Sequence, residues 1–126
     1  MKLLLIVAAV LEGATGLILL LKPAVAVSLL LGAPLDTPAG LVAARIAGAA
    51  LVALGIACWQ ARNGERGSPA TGVVEAMLVY NFASAMVFVY AGIRLDLHGG
   101  LLWPAIVLHL CLGAWCVLNR WFIRRT

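Results

Sequence analysis

The sequence predicts an all-α integral membrane protein, a bundle of four transmembrane helices with a short interfacial helix between the first and second spans. Of its 126 residues, 64% are hydrophobic and only 11% are charged, and the mean hydropathy is +1.08. Soluble domains carry about 25% charged residues. A chain this short has too little interior to bury so much apolar surface away from water. We therefore expect residues 1–126 to form one domain surrounded by lipid.

Four apolar runs in the sequence are long enough to cross a bilayer, which takes about 20 residues of helix. They cover residues 3–21, 39–61, 70–92 and 101–122. None shows the period-two alternation of a membrane β-barrel strand. The first run opens like a secretory signal peptide, with Lys2 before an apolar stretch, but the apolar run resumes at Leu17 and continues to Leu21. We expect it to be retained as the first transmembrane helix.

The connection between the first two runs contains a shorter apolar segment, residues 24–35. Because this segment is much shorter than the roughly 20 residues of a crossing, it is predicted to lie at the membrane surface as an interfacial helix. Thr37-Pro38 and Ser68-Pro69 then mark helix starts. In each, a hydroxyl side chain can cap the free N–H groups, and proline at the first helical position has no N–H to leave unpaired.

The Lys and Arg residues flank the apolar runs and do not form a patch of the kind that binds nucleic acid. Most of them fall on one side of the four predicted spans. That side contains Lys2, Arg62, Arg66, Arg120, Arg124 and Arg125, and the opposite side contains Lys22 and Arg94. Since Lys and Arg accumulate in cytoplasmic loops, both termini are predicted to face the cytoplasm, in a bacterial cytoplasmic (inner) membrane.

Each predicted span contains one polar side chain near the level of the bilayer centre: Glu12, Arg45, Asn81 and His109. At a rise of about 1.5 Å per residue, Glu12 and Asn81 lie near the midplane, with His109 about 3 Å and Arg45 about 7 Å further out. Polar groups are costly in a membrane, so they face the bundle interior and are candidates for function. We expect Glu12 to pair with Arg45, and Asn81 and His109 to complete the hydrogen bonds.

Two interpretations of these residues remain open. The cluster fixes the register of the helices, since removing one partner of a buried ion pair is costly, or it forms a polar cavity that binds a ligand or carries a proton. Secondary candidates are Glu75, Ser84 and Tyr80. Ser84 shares the helix face of Asn81. Glu75 lies in the first turns of the third span, within reach of Arg62 or Arg66, which favours a structural or interfacial role.

The sequence contains no catalytic motif, no glycine-rich phosphate loop and no cluster with metal-ligand spacing. The three cysteines lie within apolar runs and are expected to be small core hydrophobes. His109 lacks a second histidine suited to bind haem with it, because His98 lies in a loop close to water. We therefore predict no catalytic residue, no metal and no cofactor, and an enzyme is the less favoured interpretation. The expected partners are the lipid bilayer, a lipophilic small molecule, and another membrane protein or a second copy of the chain, with no nucleic acid.

The second span reads Arg45-x-x-Gly48-x-x-Leu51-x-x-Leu54-Gly55, and the first span contains Glu12. In a small four-span chain this pattern resembles the DoxX-like group of bacterial membrane proteins. The resemblance covers the first two spans. It implies the fold more than an activity, because many members of such families have no assigned activity.

A second resemblance is to the small multidrug resistance transporters, four-span chains of similar size with a proton-coupling glutamate in the first span. Glu12, followed by Gly16 and Lys22, fits that arrangement. The third span reads Val79-Tyr80-Asn81-Phe82-Ala83 where those transporters have a stretch with tyrosine and tryptophan, and Arg45 would neutralise the glutamate. The leading hypothesis is therefore an accessory or small-molecule-binding membrane protein. The alternatives are a proton-coupled transporter of lipophilic cations that uses Glu12, and a structural subunit of a membrane complex.

Overall fold

The computed structural model describes residues 1–65 and 67–123, so that Arg66, Arg124 and Arg125 of the orientation argument lie outside the described residues. Throughout the described ranges the chain forms helices and no strand. The helices are α1 (Lys2–Leu21), α2 (Pro23–Leu31), α3 (Pro38–Ala61), α4 (Pro69–Arg94) and α5 (Leu102–Ile123). The four long helices and the short helix between the first two match the prediction, and the all-α class is confirmed.

Four of these helices are long and apolar enough to cross a membrane: α1, α3, α4 and residues Leu102–Arg120 of α5. Their outward faces carry large hydrophobic side chains that are highly exposed, such as Leu21 at 76%, Met86 at 73% and Val79 at 69%. Exposed apolar surface on this scale is unusual for a monomer in water, whereas lipid tails match it. The outer surface therefore has the character of membrane-spanning helices.

The helix starts that the sequence predicts are formed by the expected caps. The Thr37 hydroxyl oxygen accepts a hydrogen bond from the Gly40 N–H at 3.1 Å, and the Ser68 hydroxyl oxygen accepts one from the Ala70 N–H at 3.3 Å. Pro38 and Pro69 occupy the first helical position in α3 and α4. Each cap satisfies an N–H group that has no partner inside its own helix.

The long helices form two antiparallel pairs, and glycine determines how closely the first pair packs. A Cβ atom on Gly16 of α1 would lie 2.7 Å from the carbonyl oxygen of Gly48 of α3, and a Cβ atom on Gly55 would lie 2.9 Å from the backbone nitrogen of Gly13. The two backbones are therefore in direct contact, an approach that small residues permit between membrane helices. Helices α4 and α5 form the second pair, in which Leu102 packs beside Gly92.

The hydrophobic core lies where the two pairs meet, in the half of the bundle that contains the start of α1 and the end of α5. We call this the terminal half, and the opposite half the α2 half. Fully buried core residues come from all four long helices and include Leu5, Cys58, Met77 and Cys116. The buried core that the two pairs share therefore lies in the terminal half.

Helix α2 connects the two pairs at the opposite end of the bundle. The Leu101 N–H, just before α5, donates a hydrogen bond to the Leu29 carbonyl of α2 at 3.0 Å. A Cβ atom on Gly99 would lie 2.3 Å from the Leu30 carbonyl, so only glycine fits there. The helix ends at Leu31, earlier than the predicted boundary at residue 35, because Gly32 adopts a left-handed conformation with φ of 70°. Its location at a membrane surface remains a prediction.

We predict opposite effects for alanine at two helical glycines. Gly48→Ala places a methyl group against the backbone of α1 and is expected to destabilise the protein by about 1 to 3 kcal/mol. Gly72→Ala faces open space on α4 and is expected to be neutral or to stabilise by up to about 1 kcal/mol, through helix propensity. Thermal unfolding of the purified protein in detergent measures both. Equal midpoints for the two variants would contradict the close contact between α1 and α3.

Candidate functional site

Glu12 lies in the interior at the middle of α1, with only 4% of its surface exposed. Its carboxyl group faces the phenol of Tyr80 on α4. Glu12 shares its helix face with the buried residues Ala8 and Gly16. Small side chains on this face leave room for the carboxyl to reach across the bundle, and they bring it to the boundary between the two helix pairs.

Tyr80 connects Glu12 to the histidine on α5. Its hydroxyl group approaches both the carboxyl of Glu12 and the hydroxyl of Ser84, one turn further along α4. Its ring stands edge-on to the His109 imidazole, with a centroid separation of 5.6 Å. The sequence ranks Tyr80 and Ser84 only as secondary candidates, because tyrosine in a deep apolar run is commonly a packing residue. The structure places Tyr80 at the centre of the polar groups.

Asn81 and His109 form the hydrogen bond that joins α4 to α5. The Asn81 amide nitrogen donates to the Met77 carbonyl at 2.8 Å, and this bond orients the amide. The Asn81 Oδ1 atom then lies 2.9 Å from His109 Nδ1. Because an amide oxygen only accepts, His109 Nδ1 must carry the proton, and in the neutral imidazole Nε2 is an acceptor. Asn81 and His109 were expected to complete the hydrogen bonds of an ion pair between Glu12 and Arg45, whereas they bond to each other, and this bond fixes the tautomer of the histidine.

We define the polar cluster as Glu12, Tyr80, Asn81, Ser84 and His109. Its members come from α1, α4 and α5, and all lie near the middle of their helices. Within the described part of the chain, no cationic side chain forms an ion pair with Glu12, and no side chain bonds Nε2 of His109. A buried carboxyl without a cation is costly in the charged state. The polar cluster can therefore hold a proton, or accept hydrogen bonds from a molecule that enters it.

Arg45 does not belong to this cluster, and the predicted ion pair with Glu12 is wrong. Arg45 is exposed on the outside of α3 and pairs with no described acidic residue. The reason is the register of the first helix pair, in which Gly55 lies against Gly13, the neighbour of Glu12. Arg45 precedes Gly55 by ten residues, which is about 15 Å along the helix axis. The prediction assumed that the four spans are centred at the same depth. This assumption underestimates the distance along the bundle axis between Arg45 and Glu12.

Glu75 is separate from the polar cluster and has a different partner from the one predicted. Its carboxylate lies 3.1 Å from the guanidinium of Arg120 on α5, in a partly exposed ion pair. Arg62 instead hydrogen-bonds the Trp59 carbonyl and lies 4.0 Å from the centroid of the Trp59 ring. Glu75 therefore links α4 to α5 near the end of the bundle, as its expected structural role requires.

Phe88, which was not ranked as a candidate, borders the polar cluster. Its ring centroid lies 5.6 Å from that of His109, two turns beyond Tyr80 on α4. Cys58 is fully buried in the hydrophobic core, as expected of a core cysteine, whereas Cys111 is exposed. Among the described residues, no group of three or more His, Cys, Asp or Glu side chains is placed to hold a metal ion. The chemistry of the cluster is thus that of a carboxyl, a phenol and an imidazole.

Comparison with known proteins does not identify a relative: no protein-family model, no curated protein and no solved structure matches this chain. The DoxX-like resemblance therefore stays a hypothesis. The function has to be inferred from the geometry of the cluster.

We predict that Asn81 and His109 are energetically coupled. Asn81→Leu or His109→Leu leaves one buried polar partner unpaired, which is expected to cost about 1 to 3 kcal/mol. The double substitution removes both partners and is expected to recover part of that loss, with a coupling energy of at least about 0.5 kcal/mol. A double-mutant cycle of thermal stability in detergent measures this coupling.

Asn119 provides the matched control for this cycle. Its amide nitrogen donates to the Trp115 carbonyl at 2.9 Å, the same bond within a helix that Asn81 makes to Met77. Unlike Asn81, it bonds to no other helix among the side chains that the structure describes. Asn119→Leu is therefore expected to cost less than Asn81→Leu. Strict additivity of the two cluster substitutions would contradict the coupling.

Proposed function

We propose that this chain is a multi-pass membrane protein that binds a small molecule at the polar cluster. The observation that supports this proposal is the state of Glu12, a buried carboxyl that faces Tyr80 and meets no described cation. A cluster that served only to fix helix register would be expected to pair its one acidic group, because an unpaired buried charge is costly. The Asn81–His109 bond already links α4 to α5. Glu12 takes no part in this bond, so its carboxyl is not required to join α4 to α5.

The proposed setting is a bacterial cytoplasmic membrane, with both termini in the cytoplasm and α2 at the opposite surface. Four helices of suitable length and apolarity support the membrane location. The distribution of basic residues supports the orientation, since Lys2, Arg62 and Arg120 lie at the terminal end of the bundle and Lys22 and Arg94 at the other. In this setting the polar cluster lies near the bilayer centre, where a ligand must be soluble in lipid.

The orientation can be tested without substitutions, because the chain contains two lysines, Lys2 and Lys22, at opposite ends of α1. We predict that a membrane-impermeant amine reagent applied to intact spheroplasts labels Lys22 and leaves Lys2 unmodified. Permeabilised cells supply the control and should show both labels. Peptide mass spectrometry reads the two sites separately, and labelling of Lys2 alone in intact cells would reverse the proposed orientation.

For ligand binding, we predict that Glu12 determines the response to small amphiphiles. The probes are decylamine, decanol and decanoic acid, which share a tail and differ in the head group. At about 100 times its Kd, a ligand that binds the folded state alone adds about 2.7 kcal/mol of stability. At least one probe is expected to raise the thermal midpoint of the wild type and of Glu75→Gln, but not that of Glu12→Gln. No response in the wild type, or an equal response in Glu12→Gln, would contradict a ligand site at Glu12.

A second function, proton-coupled transport of lipophilic cations, is favoured by the distance between Arg45 and Glu12. The carboxyl is free of the cation that would have neutralised it and can exchange a proton for a cationic ligand. Proteoliposomes with an enclosed pH indicator separate the two functions. Proton movement that exceeds one proton per chain, is retained in Glu75→Gln and is lost in Glu12→Gln indicates transport. Binding that releases at most one proton per chain indicates an accessory binding protein.

A further inference from the structure

An apolar groove lies beneath α2, on the side of the bundle where α1, α2 and the start of α5 meet. Its volume is about 260 Å³. The lining comes from α1, α2 and Leu101 and is aliphatic apart from Thr15. Because α2 is held over this groove by the Leu101–Leu29 hydrogen bond and by the contact at Gly99, the groove is a built feature of the fold.

The groove begins on α1 about one turn beyond Glu12, where Thr15 and Ile18 are exposed, whereas Glu12 itself is buried. Thr15 and Leu19 follow Glu12 at the spacings i+3 and i+7, which lie on one side of an α-helix. The nearest groove residue is thus about 5 Å beyond Glu12 along α1, and Leu19 is about 10 Å beyond it. A molecule with a polar head at Glu12 and an alkyl tail along this face would place the tail in the groove.

The hydrogen-bonding inventory of the polar cluster specifies the head group. The Glu12 carboxyl meets the phenol of Tyr80 but no described cation, and Nε2 of His109 has no described side-chain partner. An ionised carboxyl and the unprotonated nitrogen of a neutral imidazole both accept hydrogen bonds. A carboxyl that can ionise and has no described cationic partner matches a head group that is positively charged and donates N–H bonds. A carboxylate or phosphate head group would instead be repelled by Glu12.

We infer that the groove beneath α2 holds the alkyl tail of an amphipathic amine whose ammonium group lies at the Glu12 carboxyl. This inference rests on the proposed function of the polar cluster and adds the ligand class and the location of its tail. It also assigns α2 a role, since α2 forms the wall of the groove on the side away from α1. The ligand reaches the site from the membrane leaflet at the α2 end, because Glu12 and the groove are separated from the opposite end by the hydrophobic core.

The location of the tail can be tested on the wild-type protein with decylamine that carries a photoreactive diazirine at the end of its tail. After irradiation in proteoliposomes, adducts are expected to concentrate in residues 15–30 and at Leu101. An excess of decylamine is expected to suppress these adducts, and decanoic acid is not. Adducts spread evenly over the exposed faces of α3 and α4 would overturn the groove assignment. Equal suppression by decanoic acid would show an acyl-chain groove with no preference for amines, which also overturns the inference.

Two alanines of α2 provide a matched pair of variants. Ala26 lines the groove, whereas Ala24 is exposed and does not line it. Ala26→Phe fills the groove and is expected to weaken decylamine binding about tenfold, which corresponds to about 1.4 kcal/mol. Ala24→Phe adds the same ring on the outer side of α2 and is expected to leave the affinity within about twofold, a difference well below 1.4 kcal/mol. Equal affinities in the two variants would contradict a tail in the groove.

The outcome for this inference is separable from that for the proposed function. If Glu12→Gln abolishes decylamine binding while Ala26→Phe does not weaken it, the ligand binds at the polar cluster with its tail elsewhere, and only the groove assignment fails. If Glu12→Gln binds decylamine as tightly as the wild type, both the ligand class and the proposed site at Glu12 fail.

Discussion

The register of α1 against α3 is the constraint on which the rest of the structure depends. A Cβ atom on Gly16 of α1, or on Gly48 or Gly55 of α3, would strike the backbone of the facing helix, and Gly55 lies against the backbone of Gly13. Membrane helices gain little from the hydrophobic effect when they associate, so close backbone packing is a main source of their attraction. The register with the most intimate glycine contact is therefore strongly preferred. The glycine contact then sets the position along the bundle axis of every polar residue on α1 relative to those on α3.

This register separates the acidic and basic side chains of the first helix pair. Glu12 is carried to the boundary with α4, where the phenol of Tyr80 lies, while Arg45 is carried towards the α2 end and the outside of α3. In a register that allowed an ion pair, Arg45 would neutralise the charge of Glu12, and the carboxyl would not be free to bind a proton or another cation. The observed register leaves the interior with a carboxyl that a proton or a foreign cation must satisfy. A packing preference between glycines thus determines the chemistry available inside the bundle.

Most of the fold could be predicted from the sequence, because long apolar runs and their flanking caps are local signals. The starts of α3 and α4 follow from Thr37-Pro38 and Ser68-Pro69, and the caps form as expected. The candidate site was only partly predictable. The bond between Asn81 and His109 joins two residues near the middle of their spans, where a common depth is a good approximation. The predicted ion pair between Glu12 and Arg45 was wrong because it depends on how far α3 is shifted along α1. This shift is set by tertiary packing and cannot be read from the lengths of the apolar runs.

The glycines themselves were the signal that could have corrected this error. Gly13 and Gly16 on the first run, with Gly48 and Gly55 on the second, allow an antiparallel alignment in which these residues face each other, and that alignment puts Arg45 far from Glu12. Tyr80 was harder to rank, because a phenol in an apolar run is equally suited to packing and to hydrogen bonding. Its role becomes clear only from the structure, in which the Glu12 carboxyl and the Ser84 hydroxyl lie near its hydroxyl group. The two pairs share a buried core in the terminal half and are joined by α2 at the other end, so Glu12 lies between that core and the groove beneath α2. The level of the carboxyl is therefore set by contacts made elsewhere, in the glycine interface and the core, and not by a partner of opposite charge.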